Sequence, residues 1–293
     1  MTTKLVAPGF LILLMSVPSA FLAQDFEGTI KQKSIQVSVW ALQDLLWNEN
    51  DEAEDEPSYD NEADYNAAQA RKLFDIPMEQ LEKMAASGEA DITRSTIYVK
   101  GSWIRIAGEG DGEAYMVYDL ESGTYRLVNP QERTYLEYSR ADMEEQQRKA
   151  EEMMAGFGVD MAEIEADMEG ESAGGPTVEA LGATAEINGY HTTGYEARTD
   201  GRIGRGWCAK DESALMKSFE ALAAQAGSEE DEGSDIEDLL CEGQLPVLVQ
   251  IFDVYGEMYD VTEIVAIERT AVSDELFEIP AGYQRVSMQD MWR

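Results

Sequence analysis

Thr93-Arg-Ser-Thr-Ile-Tyr-Val-Lys-Gly-Ser-Trp-Ile-Arg-Ile-Ala107 decides the fold class. On both sides of Lys100-Gly-Ser102, β-branched and aromatic residues alternate with polar ones. A period of two puts every second side chain on one face, which is the signature of a strand. A glycine-containing break this short is a hairpin turn. The pattern continues at 114–118, 125–128 and 134–138, punctuated by Gly108-Glu-Gly-Asp-Gly112, Glu121-Ser-Gly123 and Asn129-Pro-Gln-Glu132. Such short connections make consecutive strands antiparallel neighbours, because a parallel crossover needs a dozen residues or more. The centre of the chain is a β-meander.

Strand signals lie on both sides of it. Stretches 25–30 and 35–39 precede it. After it, 184–187 and 190–198 flank Asn188-Gly189, 202–209 follows, and 246–255 and 258–268 flank Gly256-Glu257. Phe277-Glu-Ile-Pro-Ala-Gly-Tyr283 reads as a closing strand and turn. Helical periodicity appears between these runs. Asp75 reads as an N-cap with Pro77 in the first turn, Met78, Leu81 and Met84 share one face, and Gly88 ends the helix. Ser139 and Asp142 have capping-box spacing. They open a Met-rich helical insertion at 139–169, where Met143, Met154, Phe157, Met161, Ile164 and Met168 fall on one stripe. A shorter amphipathic helix carries Leu215, Phe219, Leu222 and Ala226. Acidic runs at 49–64 and 229–238 read as solvated loops. The expected fold is α+β: one strongly curved antiparallel β-sheet, an incomplete barrel, with the inserted helices against its concave face.

The first residues read as an export signal. Lys4 precedes the apolar Phe10-Leu-Ile-Leu-Leu-Met15, and Ser16-Val-Pro-Ser-Ala20 leads to a cut expected after Ala23. No cysteine follows for a lipid anchor, and the apolar run is too short to span a bilayer. Residues 24–293 are then expected to form a single β-rich domain in the periplasm or outside the cell, without stable membrane insertion. With 22 basic and 59 acidic residues the chain carries −37, or −38 once Lys4 is removed. Such a field excludes nucleic acid as a partner and disfavours anionic membranes. Adaptation to a salty exterior, diffuse calcium binding and a basic partner each account for the acidity, and its spread along the chain favours the first. The only cysteines, Cys208 and Cys241, are expected to form a disulfide in an oxidising compartment.

Three stretches of the meander, Ile97-Tyr-Val-Lys-Gly-Ser-Trp-Ile-Arg-Ile106, Tyr115-Met-Val-Tyr-Asp119 and Asn129-Pro-Gln-Glu-Arg-Thr-Tyr135, resemble a family of uncharacterised exported bacterial proteins. Ile187-Asn-Gly-Tyr190, Gly243-Gln-Leu-Pro246 and Phe277–Tyr283 extend the resemblance through the second half. That family is similar in layout to the periplasmic lipoprotein carriers of the LolA/LolB-like superfold. The resemblance implies an incomplete barrel with a helical lid over an apolar cavity, and it supplies no catalytic residue. The acidic insertions and the cysteine pair depart from those carriers.

Little in the chain suggests catalysis. His191 is the only histidine, which excludes His-based metal triads and HExxH. There is no P-loop. Among 59 acidic residues a carboxylate pair carries no information. The expectation is a non-enzyme without cofactor or metal. The Met stripe either gates an apolar groove for a hydrophobic ligand or lipoprotein, since methionine adapts to varied apolar surfaces, or fills the core. The alternatives are an acidic envelope interaction protein with no small ligand and a calcium-dependent module.

Overall fold

The computed structural model describes residues 26–42, 62–110, 112–139, 176–199, 201–210 and 236–287, with positions 141, 142, 145 and 148 between them. The strands are β1 (Glu27–Ser38), β2 (Asp91–Lys100), β3 (Trp103–Gly108), β4 (Tyr115–Asp119), β5 (Thr124–Asn129), β6 (Thr134–Ser139), β7 (Thr177–Ile187), β8 (Tyr190–Thr199), β9 (Arg202–Ala209), β10 (Leu245–Asp253), β11 (Met258–Glu268) and β12 (Gln284–Arg285). They form one twelve-stranded sheet in the order β12-β6-β5-β4-β3-β2-β1-β11-β10-β9-β8-β7. It is open, and every pair is antiparallel except β12 with β6. The two meanders join where β1 pairs with both β2 and β11.

β1 is one continuous strand where the sequence pattern suggested two. Its buried phase explains the misreading. Ile30 is buried on one face, whereas Ile35 and Val37 are buried on the other. β11 makes the same switch, from Tyr259 and Val261 to Ile264, and its register steps by one residue at Val265. The sheet therefore packs one end of its central strands on one face and the other end on the opposite face.

Helices α1 (Glu62–Phe74) and α2 (Met78–Ser87) cover the face that holds Ile35 and Val37. α1 presents Ala67, Ala70, Leu73 and Phe74 at helical spacing to Ile203, Phe252 and Tyr259. α2 begins at Met78 behind Pro77, so Asp75 is not its cap. Its end is as the sequence suggests: Gly88 adopts φ 87° and its N–H donates to Ala85 O. The acidic run 49–64 was expected to be all loop, yet α1 starts at Glu62. Likewise the run 229–238 ends inside α3 (Ile236–Leu240).

α3 lies on the other face of the same strands. Ile236 and Leu240 pack on Ala197, Val249 and Ile251, which alternate with the Ile203 and Phe252 contacted by α1. The helices thus occupy both faces, a correction to the expectation that all lie against one concave face. Gly204 and Gly206 make the approach possible: a Cβ would come within 2.9 Å of Leu240 Cδ1 at the first and 3.2 Å of Cys241 Sγ at the second. The Cys208–Cys241 disulfide, Cα–Cα 5.5 Å, ties α3 to β9.

The C-terminal segment corrects a second expectation. Residues 277–283 are not a strand. A 3-10 turn, Asp274–Phe277, is followed by Pro280, which has no N–H, and Gly282 at φ 87°. Phe277, Ile279 and Tyr283 instead pack on Tyr115, Val117 and Val128. Beyond them β12 runs parallel to β6 and pairs with its first two residues, Thr134 and Tyr135. At the opposite edge β7 is exposed along most of its length, and the residues 181–183 bulge out of register with β8.

Asp260 on β11 shows how the acidity strains the fold. Burial pushes its carboxyl above the usual carboxylate range; Gln36 and Arg202 oppose the shift and Asp253 adds to it. A raised folded-state value means that its contribution to stability is full below the ordinary carboxylate range and is lost as pH rises. Asp260→Asn is therefore expected to raise Tm at pH 7 and to give no gain at pH 3, read by thermal unfolding at both values.

A candidate apolar binding face

Antiparallel register places directly opposed side chains in rows across a sheet. One row here is apolar throughout: Ile267, Ile30, Ile97, Ile106, Met116, Leu127 and Leu136, on β11, β1, β2, β3, β4, β5 and β6. A second row on the same face runs Val99, Ile104, Tyr118, Tyr125 and Tyr138. Its centre is closed, with Ile30 and Val99 at 0% exposure and Ile104 at 1%. Towards β4, β5 and β6 it opens, and Met116, Tyr125, Leu127 and Tyr138 are half-buried. Burial, with Tyr138 beside it, raises the Tyr125 hydroxyl above its ordinary value.

The reverse face of the same strands carries Tyr98, Arg105, Val117, Arg126 and Glu137. The Arg105 guanidinium lies 3.8 Å from the Tyr115 ring centroid and donates to Leu276 O at 2.9 Å. Arg126 Nε donates to Glu137 Oε2 at 2.8 Å. Lys100 Nζ holds Val272 O and Asp274 at 2.8 and 2.7 Å. The Arg105 and Lys100 contacts fasten the C-terminal segment over this face, where Phe277, Ile279 and Tyr283 also pack, so one face is covered by the chain's own C-terminal segment and the other carries the apolar band.

A second charged cluster joins α1 to the sheet. Glu196, 7% exposed, stands opposite Arg205 in the β8–β9 register, and Arg198 Nη2 donates to it at 3.0 Å. Arg71 and Arg205 lie 3.9 Å from its two oxygens, and Arg205 also reaches Asp75 at 3.2 Å. The arginines share one buried carboxylate, and Arg205 sits over the Phe74 ring at 4.9 Å. The network compensates a buried charge and pins the end of α1.

Of the residues singled out in the sequence, Cys208 and Cys241 form the expected disulfide. Met143, Met154, Phe157, Met161, Ile164 and Met168 lie outside the described residues, as do the export signal at 1–23 and the helix expected around Phe219. The Ser139–Asp142 capping box is present: Asp142 Oδ2 accepts from Ser139 N at 2.8 Å, and Ser139 Oγ accepts from Asp142 N at 3.2 Å. His191 is exposed on β8 opposite Glu186. Among the described residues no group of three or more His, Cys, Asp or Glu is placed to hold a metal. The apolar rows escaped sequence reasoning because only the strand register brings them together. The Glu196 cluster left one signal, a Glu-x-Arg alternation on a strand.

Residues 149–283, less than half of the chain, match the family described as Domain of unknown function (DUF4412). Two solved structures of PNGF-II, in space groups P21 and C2, are similar to the chain with TM-scores of 0.33 and 0.34 and identities of 7% and 9%. The likeness covers 90% and 91% of this chain and 32% and 33% of those chains, so this chain spans about a third of their length. At these values it defines neither fold nor activity. No curated protein matches the chain.

Proposed function

We propose that this chain is a non-catalytic extracytoplasmic binding protein, exported by residues 1–23 and folded as one LolA-like, curled sheet. Its ligand is a lipid, an acyl chain or a lipoprotein that lies on the apolar band. The observation that carries this reading is the band itself, apolar across seven consecutive strands and opening at Met116, Tyr125 and Leu127. Ligand sites are concave and mainly apolar with few polar groups.

Native mass spectrometry of the protein purified from its own envelope, with organic extraction, tests the proposal. A co-purifying lipid or acylated peptide near one per chain is the expected result. A bare mass that does not change when lipids are offered overturns it. Placing a charge on the open part of the band sharpens the test. Leu127→Glu is expected to abolish uptake at a stability cost of about 1–2 kcal/mol, whereas Ile104→Glu, at 1% exposure, unfolds the chain.

The closed centre of the band favours a second reading, an acidic envelope interaction protein whose interior is filled by its own side chains. A ligand-free mass together with tolerance of Leu127→Glu would select it.

A further inference from the structure

We propose that the occupant of the band is an amphiphile with a cationic head, an aliphatic chain ending in an ammonium group, and that Glu113 and Ser95 receive that head. This rests on the binding role above and adds the sign of the ligand's charge. Ser95 extends the apolar face by one row: it stands opposite Gln32 on β1 and Gly108 on β3, two residues before Ile97. It is 1% exposed, and its hydroxyl has no hydrogen-bond partner. A buried hydroxyl is costly to leave unmatched, and it accepts as readily as it donates.

Gly108 beside it has no side chain, and the Glu113 carboxylate lies where a Cβ would stand. The same carboxylate fills the corresponding space at Gly110. The glycines of the Gly108-Glu-Gly-Asp-Gly112 turn therefore let a charged group lie on the band's own face, at the end of the row that holds Ser95. The turn is fixed there by Glu109 N–H to Arg94 O at 3.1 Å and Glu113 N–H to Gly110 O at 3.2 Å.

A carboxylate and a hydroxyl at the end of a hydrocarbon surface match a group that only donates, and an ammonium has three N–H and no acceptor. An anionic head would meet Glu113 inside a molecule of net charge −37. An uncharged head would form no ion pair with Glu113.

Calorimetric titration of the purified protein with dodecylammonium, dodecanol and dodecanoate below their micelle concentrations tests this. Butylammonium serves as a head-only control, and about 0.15 M NaCl screens diffuse attraction. Dodecylammonium is expected to saturate one site about tenfold more tightly than dodecanol, with butylammonium showing no saturation. Glu113→Gln should bring dodecylammonium to the affinity of dodecanol, and Ser95→Ala should weaken it a few-fold. Glu113 is exposed, so an unchanged Tm of Glu113→Gln confirms that the fold is kept. Equal affinities for dodecylammonium and dodecanol, or indifference to Glu113→Gln, overturn the cationic head and leave the binding role standing. Unsaturable ammonium uptake that salt abolishes is counterion condensation and overturns it too. Failure of all three long-chain probes to bind overturns the binding role as well.

Discussion

Replacing both Cys208 and Cys241 with alanine is expected to lower the free energy of unfolding by about 4 kcal/mol. The bond closes a loop of 33 residues, and the magnitude follows from the chain entropy that the crosslink removes from the unfolded state. The folded state magnifies the effect locally. α3 has five residues, far below the length at which a helix holds itself, and the disulfide and the packing of Ile236, Leu239 and Leu240 anchor it. Hydrogen exchange at β8 and β9 should therefore rise more than at β2 and β3, and the urea midpoint should fall. An unchanged midpoint in the double variant would show that the crosslink constrains nothing that the packing does not already hold.

Tyr259 is the second sensitive point. It is completely buried under α1, its ring centroid 6.2 Å from that of Phe74, and Gln250 Nε2 donates to its hydroxyl at 2.7 Å and to Phe74 O at 3.0 Å. Tyr259→Ala is expected to cost about 4 kcal/mol, the sum of lost transfer energy and a cavity that α1 cannot collapse into. Tyr259→Phe keeps the ring and should cost about 1 kcal/mol. The two variants separate packing from hydrogen bonding. Burial also raises the Tyr259 hydroxyl well above the ordinary tyrosine range. Its contribution is full below about pH 10 and is lost as pH rises beyond that. The stability gap between wild type and Tyr259→Phe should therefore shrink from pH 9 to pH 11 in urea unfolding.

The strands were largely legible in the sequence because each has its own alternation and its own turn. β9 and β11 have the bounds expected of them; β3 and β6 differ by a residue at one end, and β4 and β5 by a residue at each end. Where reading failed, the cause lay in packing. β1 looked like two strands because the buried face changes midway. α1 was missed because its contact face is built partly from Ala67 and Ala70, which carry little hydrophobic signal, and because it begins inside an acidic run. The strand expected at 277–283 has the right residue types, but Pro280 and Gly282 prevent regular pairing and send the side chains into the sheet. The apolar band could not be read at all. Ile97 and Leu136 become members of one row only through the registers of four successive strand pairs.

The two edges of the sheet are unequal, and this limits how copies of the chain can aggregate. At one edge the two-residue β12, with an exposed Arg285, offers almost no template for another strand. At the other, β7 presents eleven residues, interrupted at Gly182. A body with a single usable edge is monovalent in this respect. Two such bodies joined β7 to β7 leave outward only the two-residue β12 and the remaining four residues of β6, a poor template for further growth through the sheet.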